Sequence, residues 1–138
     1  MPARIIDRVA FVATKADHVA DRQRGNLAAL MKTLAQIPGD GITAAHFAAA
    51  SVRCTEDFVW TLEGRPVSAV RGRVLGQSVL TRSYPGEVPD RPPDAEFWQH
   101  PFLALPEFEP MRLRDGGTSG IPNIGMDALL DFLLGDVL

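Results

Sequence analysis

The stretch that decides the fold is Arg8-Val9-Ala10-Phe11-Val12-Ala13-Thr14-Lys15-Ala16-Asp17-His18-Val19. Its first half is an apolar, β-prone run, which predicts a buried strand. The run ends abruptly in Thr-Lys-Ala-Asp. Because ligands of open α/β sheets lie beyond the carboxyl ends of the strands, this polar tetrapeptide is a candidate binding loop.

Asp17 has the chemistry that recognition of a guanine base requires. Guanine presents its N1–H and its 2-amino group side by side, and one fixed carboxylate accepts a hydrogen bond from each. Adenine lacks that pair and would leave the carboxylate unpaired. A site built to hydrogen-bond a group rejects an analogue without that group by roughly 10⁴ or more. Lys15 would lay its methylene groups along the base and keep its ammonium polar. The alternative for Asp17 is to cap the helix that follows.

A second segment repeats the pattern of an apolar run with a polar end. Residues 42–53 form a small-residue strand that ends in Ser51-Val52-Arg53. A helix between the two strands implies a right-handed parallel crossover, which brings both polar ends to one edge of the sheet. The alternative is an ordinary buried strand with a polar end.

These segments, with two others, resemble the C-terminal part of the YcjX-like P-loop NTPase family, a bacterial stress-associated group with a Ras-like nucleotide fold. The resemblance runs nearly end to end. The segments that carry it are residues 6–19, 50–55, 84–89 and 126–136.

The resemblance implies a fold class, a cofactor and a location. The fold would be the C-terminal part of a Ras-like α/β P-loop NTPase, the cofactor GTP or GDP, and the location cytoplasmic. Ser51 would steady the Asp17 carboxylate through its hydroxyl, and the Val52 amide would donate to guanine O6. Thr14 replaces the usual Asn, which is a departure from the pattern. The implied base-binding residues are Thr14, Lys15, Asp17, Ser51, Val52 and Arg53.

No P-loop string, G-x-x-x-x-G-K-[ST], occurs in the chain, and only Met1 to Asp7 precede the first strand. Phosphoryl transfer depends on the phosphate cradle, its Lys and a metal ion. We therefore expect no GTP hydrolysis by this chain alone, and Mg²⁺ only through a missing N-terminal half.

Composition predicts one domain. The chain has 138 residues, a net charge of −3 and 14 basic residues that are spread along the sequence, so a nucleic-acid partner is unsupported. No apolar run approaches the ~20 residues that span a bilayer. The first strand is too short for a signal peptide. One cysteine, Cys54, excludes an internal disulfide and fits a reducing cytosol; packing is the favoured role for it and for His46.

The chain divides into three predicted sections. Residues 7–53 form a β-α-β unit, whose helix begins between His18 and Asp21 and ends at the Pro38-Gly39-Asp40-Gly41 turn. Residues 55–110 contain a hairpin that turns at Glu63-Gly64 into Val67 to Leu75. A proline-rich surface loop follows. The aromatic residues expected to hold it are Phe97, Trp98 and Phe102.

A short strand is predicted over Pro110 to Leu113, at the boundary of the last section, residues 111–138, and a glycine-rich turn follows it. A helix over Met126 to Leu134 follows, ended by Gly135. Its apolar stripe is expected to pack against the sheet. The stripe consists of Leu129, Leu130, Leu133 and Leu134.

The predicted sheet has an exposed apolar edge along the first strand, because a Ras-like sheet flanks that strand with one from the missing half. Such edges pair with other chains. We expect self-association, docking of the missing half, or compensation by the hairpin. Two further hypotheses stay open: an interaction module that kept the fold without binding nucleotide, and an unrelated α/β domain.

Overall fold

The computed structural model describes residues 6–37, 41–77, 79–99 and 104–137. Strand β1 (Arg8–Ala13) pairs in parallel with β2 (Thr43–Ala48), and helix α1 (Asp21–Leu34) connects them. The register places Phe11 opposite His46, and their rings stack at 5.2 Å between centroids. Residues 38–40 of the predicted turn after the helix lie outside the described residues.

A three-stranded antiparallel sheet follows, in the order β3-β4-β5. Its strands are β3 (Thr55–Leu62), β4 (Arg65–Arg73) and β5 (Leu80–Ser83). Glu63 and Gly64 both have positive φ, 49° and 76°, as a two-residue hairpin turn of type I′ requires. The predicted hairpin is confirmed, and β4 begins two residues earlier than the sequence indicated.

Strand β3 contacts the start of α1 and so links the antiparallel sheet to the β-α-β unit. The carboxylate of Asp57 accepts a hydrogen bond from the Asp21 amide at 2.9 Å, which satisfies a donor that the helix leaves unpaired. Arg24 bonds the same oxygen at 3.3 Å. The residue at the N-cap position is Ala20, and it makes no side-chain cap. The alternative that Asp17 caps α1 is therefore wrong, since Asp57 supplies the acceptor.

The proline-rich loop is held by α1. Val88 is 2% exposed; its amide donates to Gln23 Oε1 at 2.7 Å, and its carbonyl accepts from Asn26 Nδ2 at 2.8 Å. Trp98, by contrast, is 64% exposed and contacts Phe97 edge to face. Polar contacts to Val88, rather than Trp98, fix the loop. Phe102 lies outside the described residues.

Helix α2 has the predicted bounds, Met126–Leu134, but packs through a different side chain. Phe132 meets Phe47 of β2 with ring centroids 5.6 Å apart. Arg8 donates to the Phe132 carbonyl at 3.1 Å and pairs with Asp136. Three of the four stripe leucines are exposed by 37–45%, so the expectation that the whole stripe is buried is wrong. They are Leu130, Leu133 and Leu134.

The predicted strand over Pro110 to Leu113 is also wrong. The preceding segment pairs briefly with the end of β4: Val74 bridges Phe108, and the Glu109 amide donates to the Arg73 carbonyl at 2.7 Å. Pro110 has no amide proton to extend that pairing. Among the described residues, the outer edge of β1 has no strand partner.

Candidate functional site

A cavity of about 680 Å³ lies at the carboxyl ends of β1 and β2. Five of the six residues that the sequence indicated line it. These are Thr14, Lys15, Asp17, Ser51 and Val52. The two strand ends therefore meet at one site, as the parallel crossover requires.

The loop after β1 is shaped by backbone contacts. Lys15 adopts the left-handed conformation, with φ 57° and ψ 35°, before a 3₁₀ turn over Ala16–His18. A non-glycine residue pays roughly 1–2 kcal/mol for that conformation. Two hydrogen bonds tie the loop to the end of β2: the Ala16 amide to the Ala49 carbonyl at 3.1 Å, and the Ala49 amide to the Ala13 carbonyl at 2.9 Å. The reversal lets the exposed Lys15 face the cavity while Asp17 enters the interior.

Asp17 is a buried carboxylate, 2% exposed, with a defined set of donors. The Cys54 amide donates to its Oδ2 at 2.7 Å, and His18 Nδ1 lies 3.1 Å from its Oδ1. Burial alone raises the pKa of Asp17, but the hydrogen bonds from His18 and Cys54 outweigh it, so the pKa is lower than in free aspartate. Asp17 is therefore an anion at neutral pH.

The main chain of Asp17 is fixed as well. The hydroxyl of Thr55, which is fully buried at the start of β3, donates to the Asp17 carbonyl. The antiparallel sheet thus helps to position the loop that follows β1. No spacing in the sequence indicates this contact, because 38 residues separate the partners.

The second strand end differs from expectation in two places. The hydrogen bond that we expected from the Ser51 hydroxyl to Asp17 is made instead by the Cys54 amide. Arg53 is not among the cavity residues: its Nε donates to the Thr55 carbonyl at 2.7 Å, and its guanidinium pairs with Asp57 at 3.1 Å. Arg53 therefore braces β3. Ser51 and Val52 remain exposed at the cavity.

Sequence reasoning missed the far wall of the cavity, which comes from distant parts of the chain. It comprises Leu75, Glu107, Phe108, Met126 and Leu129. Phe108 is 7% exposed and tilts against the His18 ring at 5.5 Å. Nothing in the sequence around Phe108, which lies among prolines, indicates that its ring is buried. Met126 and Leu129, by contrast, are spaced as on one helix face, and that pattern does indicate a shared apolar surface.

Among the described residues, Cys54 and His46 offer no separate chemistry. Burial, followed by the charge of Asp17, raises the pKa of the Cys54 thiol, which disfavours the thiolate that a nucleophile needs. His46 Nε2 lies 2.7 Å from the Ala35 carbonyl, a packing role. Within the described ranges, no group of three or more His, Cys, Asp or Glu residues is placed to hold a metal ion. No helix of the described chain is long and apolar enough to cross a bilayer.

Comparison with known proteins relates the whole chain to one family. Residues 1–138 match the family model described as the YcjX-like family, DUF463. The chain is 34% identical, over 97% of its length, to a protein named Ras-like GTPase YcjX from Escherichia coli strain K12. It is 30% identical, over 96% of its length, to the protein of the same name from Shewanella oneidensis. It spans 30% and 29% of those relatives. By these matches, the chain belongs to the YcjX-like family.

Proposed function

We propose that this chain forms the guanine-recognition part of a Ras-like nucleotide-binding protein. The relatives are named Ras-like GTPases, which supports guanine as the base. The base would enter the cavity between the ends of β1 and β2, with Asp17 accepting from its N1–H and 2-amino groups. Its further contacts would come from Thr14, Lys15, Ser51 and Val52.

One observation carries the proposal: a buried, ionised carboxylate lies in the wall of a cavity at the carboxyl ends of parallel strands. An ionised aspartate has about four acceptor positions on its two oxygens. His18 and Cys54 use one on each oxygen. Each Asp17 oxygen therefore keeps an acceptor position for a base, and the existing bonds preset the plane of the carboxylate.

The cavity wall suits a flat heteroaromatic ring. Leu75 and Phe108 line one part, and Met126 and Leu129 line another, so apolar side chains surround a few polar groups. That combination is usual for small-molecule sites. Lys15 has a left-handed backbone conformation and lines the cavity, and the methylene groups of its side chain would cover one face of the ring.

Catalysis would need residues outside this chain, since the sequence holds no P-loop string. We propose that the phosphates and Mg²⁺ are bound by a part of the family's length that the chain does not span. This chain alone would then bind the base weakly and hydrolyse nothing. We also propose that the chain acts in the cytoplasm.

The second candidate is an interaction module that keeps the fold without binding nucleotide. Both Asp17 oxygens already accept hydrogen bonds, and the Asp17 carbonyl accepts a third from Thr55. These bonds give Asp17 a structural role that needs no ligand. The exposed leucines of α2 would then be the functional surface.

Calorimetric titration with GDP, with ADP as the control, tests the first proposal. Asp17→Asn is the informative variant, because an amide presents one acceptor and one donor. The variant should lose its affinity for GDP and gain affinity for the xanthine nucleotide XDP, which offers an N1–H donor beside a C2 oxygen. The His18 ring can accept from the new amide, so the variant should fold.

The outcomes are distinct. GDP-selective binding by the natural chain, with the switch to XDP in the variant, establishes Asp17 as the base contact. Binding of GDP and ADP with equal affinity would contradict base recognition. If a folded chain binds neither GDP nor ADP at millimolar concentration, the interaction module becomes the better interpretation.

A further inference from the structure

The fold gathers arginines that are scattered in the sequence. On one face of the antiparallel sheet, Arg71 lies opposite Arg82 in the register of β4 and β5, and Arg73 is two residues further along β4. The irregular segment before α2 adds Arg112 and Arg114. The expectation that basic residues are dispersed therefore holds along the chain but fails in space.

Four of these arginines line a groove of about 370 Å³ on the surface of the molecule: Arg71, Arg73, Arg112 and Arg114. One wall is the end of β4 with Leu80 of β5, and the other is the extended chain from Glu109 to Arg114. Two acidic residues, Glu56 and Glu109, also line it. Counted by formal charge, the lining is cationic, although the whole chain has a net charge of −3.

The acids neutralise only part of that charge. Glu56 is committed to Arg71, with its Oε1 2.7 Å from Nη2 and 2.9 Å from Nε. Arg71 also lies over the Phe58 ring, at 5.1 Å, which holds its guanidinium in place. Arg112 and Arg114 are exposed, and among the described residues their side chains make no hydrogen bond or ion pair. Two exposed guanidinium groups without such contacts thus line the same groove as a fixed one.

We propose that this groove binds a phosphate-bearing anion. The guanidinium group presents several N–H donors in a fork that matches two phosphate oxygens at once. Arg112 and Arg114, on one wall, would clamp the anion against the β4 wall. Such charge-assisted bonds are stronger than neutral ones. The proposal does not depend on nucleotide binding at the other cavity.

The groove is separate from the candidate base cavity and adjoins it at one residue. Cys54 is the only residue that lines both among the described parts of the chain. Close to the groove, the Met111 amide donates to the Arg53 carbonyl at 3.0 Å. The arginine segment is therefore anchored directly beside the turn that carries Ser51 and Val52.

The anion could come from two sources, a soluble phosphate compound or a phospholipid headgroup. Leu80 and Leu113 line the groove and are each 51% exposed, so apolar contact is available to either source. Two probes separate the sources: tripolyphosphate in solution, and vesicles of phosphatidylcholine containing phosphatidic acid. Vesicles of phosphatidylcholine alone are the control.

Tripolyphosphate binding is measured by calorimetry at low salt and without nucleotide, because the phosphates of a nucleotide would compete for the groove. Arg112→Glu and Arg114→Glu, tested separately, should each weaken binding at least about tenfold. Arg91→Glu is the matched control, because it makes the same charge change at an 81% exposed position in the proline-rich loop. It should change binding less than about twofold. Circular dichroism checks that all three variants fold.

The vesicle arm identifies the source. Cosedimentation with phosphatidic acid vesicles, lost in Arg112→Glu and retained in Arg91→Glu, supports a lipid headgroup. Tripolyphosphate binding without cosedimentation supports a soluble phosphate. Equal weakening by all three variants would overturn the proposal, because the chain would then respond only to net charge. Failure of the natural chain to bind either probe would overturn it as well.

Discussion

Gly72→Ala offers a sharp test of how the two sheets meet behind the candidate base cavity. A Cβ at position 72 would lie 2.8 Å from Phe108 Cδ1 and 3.0 Å from the Cys54 carbonyl oxygen. The ring can turn slightly, but the carbonyl belongs to the backbone just before β3 and has little room to move. Overpacking of this kind costs about 1–3 kcal/mol. For a domain of this size, that lowers the melting temperature by roughly 4 °C per kcal/mol.

Two further variants make the test specific. Gly25→Ala is the matched control, since a Cβ there meets nothing within 4 Å, and it should stabilise α1 by about 0.8–1 kcal/mol. Phe108→Leu removes the ring that crowds position 72. Chemical denaturation should therefore show that Gly72→Ala costs about 1 kcal/mol less in the Phe108→Leu background. Additive losses, or a Gly72→Ala variant as stable as the natural chain, would refute this geometry.

Three other outcomes are expected. Thr55→Val should lower the free energy of unfolding by about 1–2 kcal/mol, because a buried donor to Asp17 is lost, whereas Thr61→Val, at an exposed position of the same strand, should change it little in urea titrations. The stability that the Asp17 charge contributes is measured as the difference in free energy of unfolding between the natural chain and Asp17→Asn. It should be complete above the unfolded-state pKa near 3.9 and should disappear as the pH falls through the lower folded-state pKa. An unchanged difference in free energy of unfolding at pH 2 would contradict this. In thermal melts, Phe132→Ala should lower the stability by about 2 kcal/mol and Leu134→Ser by less than about 0.5 kcal/mol. Equal losses would contradict the packing of α2 through Phe132.

Local patterns in the sequence predicted the elements well. The apolar run before Thr14, the alternation in β3 and the turn at Glu63-Gly64 each specify a structure within a few residues. Helix α2 was predicted with its observed bounds. Its orientation was not, because the leucine stripe marks an apolar face without showing what that face contacts, whereas the contact between Phe132 and Phe47 depends on where β2 lies.

The candidate site was predicted only in the parts that adjoin strand ends. Asp17 and Ser51 follow apolar runs, so their meeting at one edge follows from the parallel crossover. The Cys54 amide cannot be recognised in this way, because every residue other than proline has an amide and only the fold aims it at Oδ2. Thr55 and Phe108 reach the site through the antiparallel sheet, whose docking depends on contacts between distant residues.

The bond between Thr55 and the Asp17 carbonyl bears on the order of assembly. Strand β1, α1 and β2 are contiguous and can form early, but the Asp17 loop gains its last restraints only when β3 docks across 38 residues of chain. Long-range contacts of that kind form late and slowly. The Asp17 loop would thus reach its final geometry late in folding, and under the proposed function a base site would be complete only in chains whose second sheet is already in place.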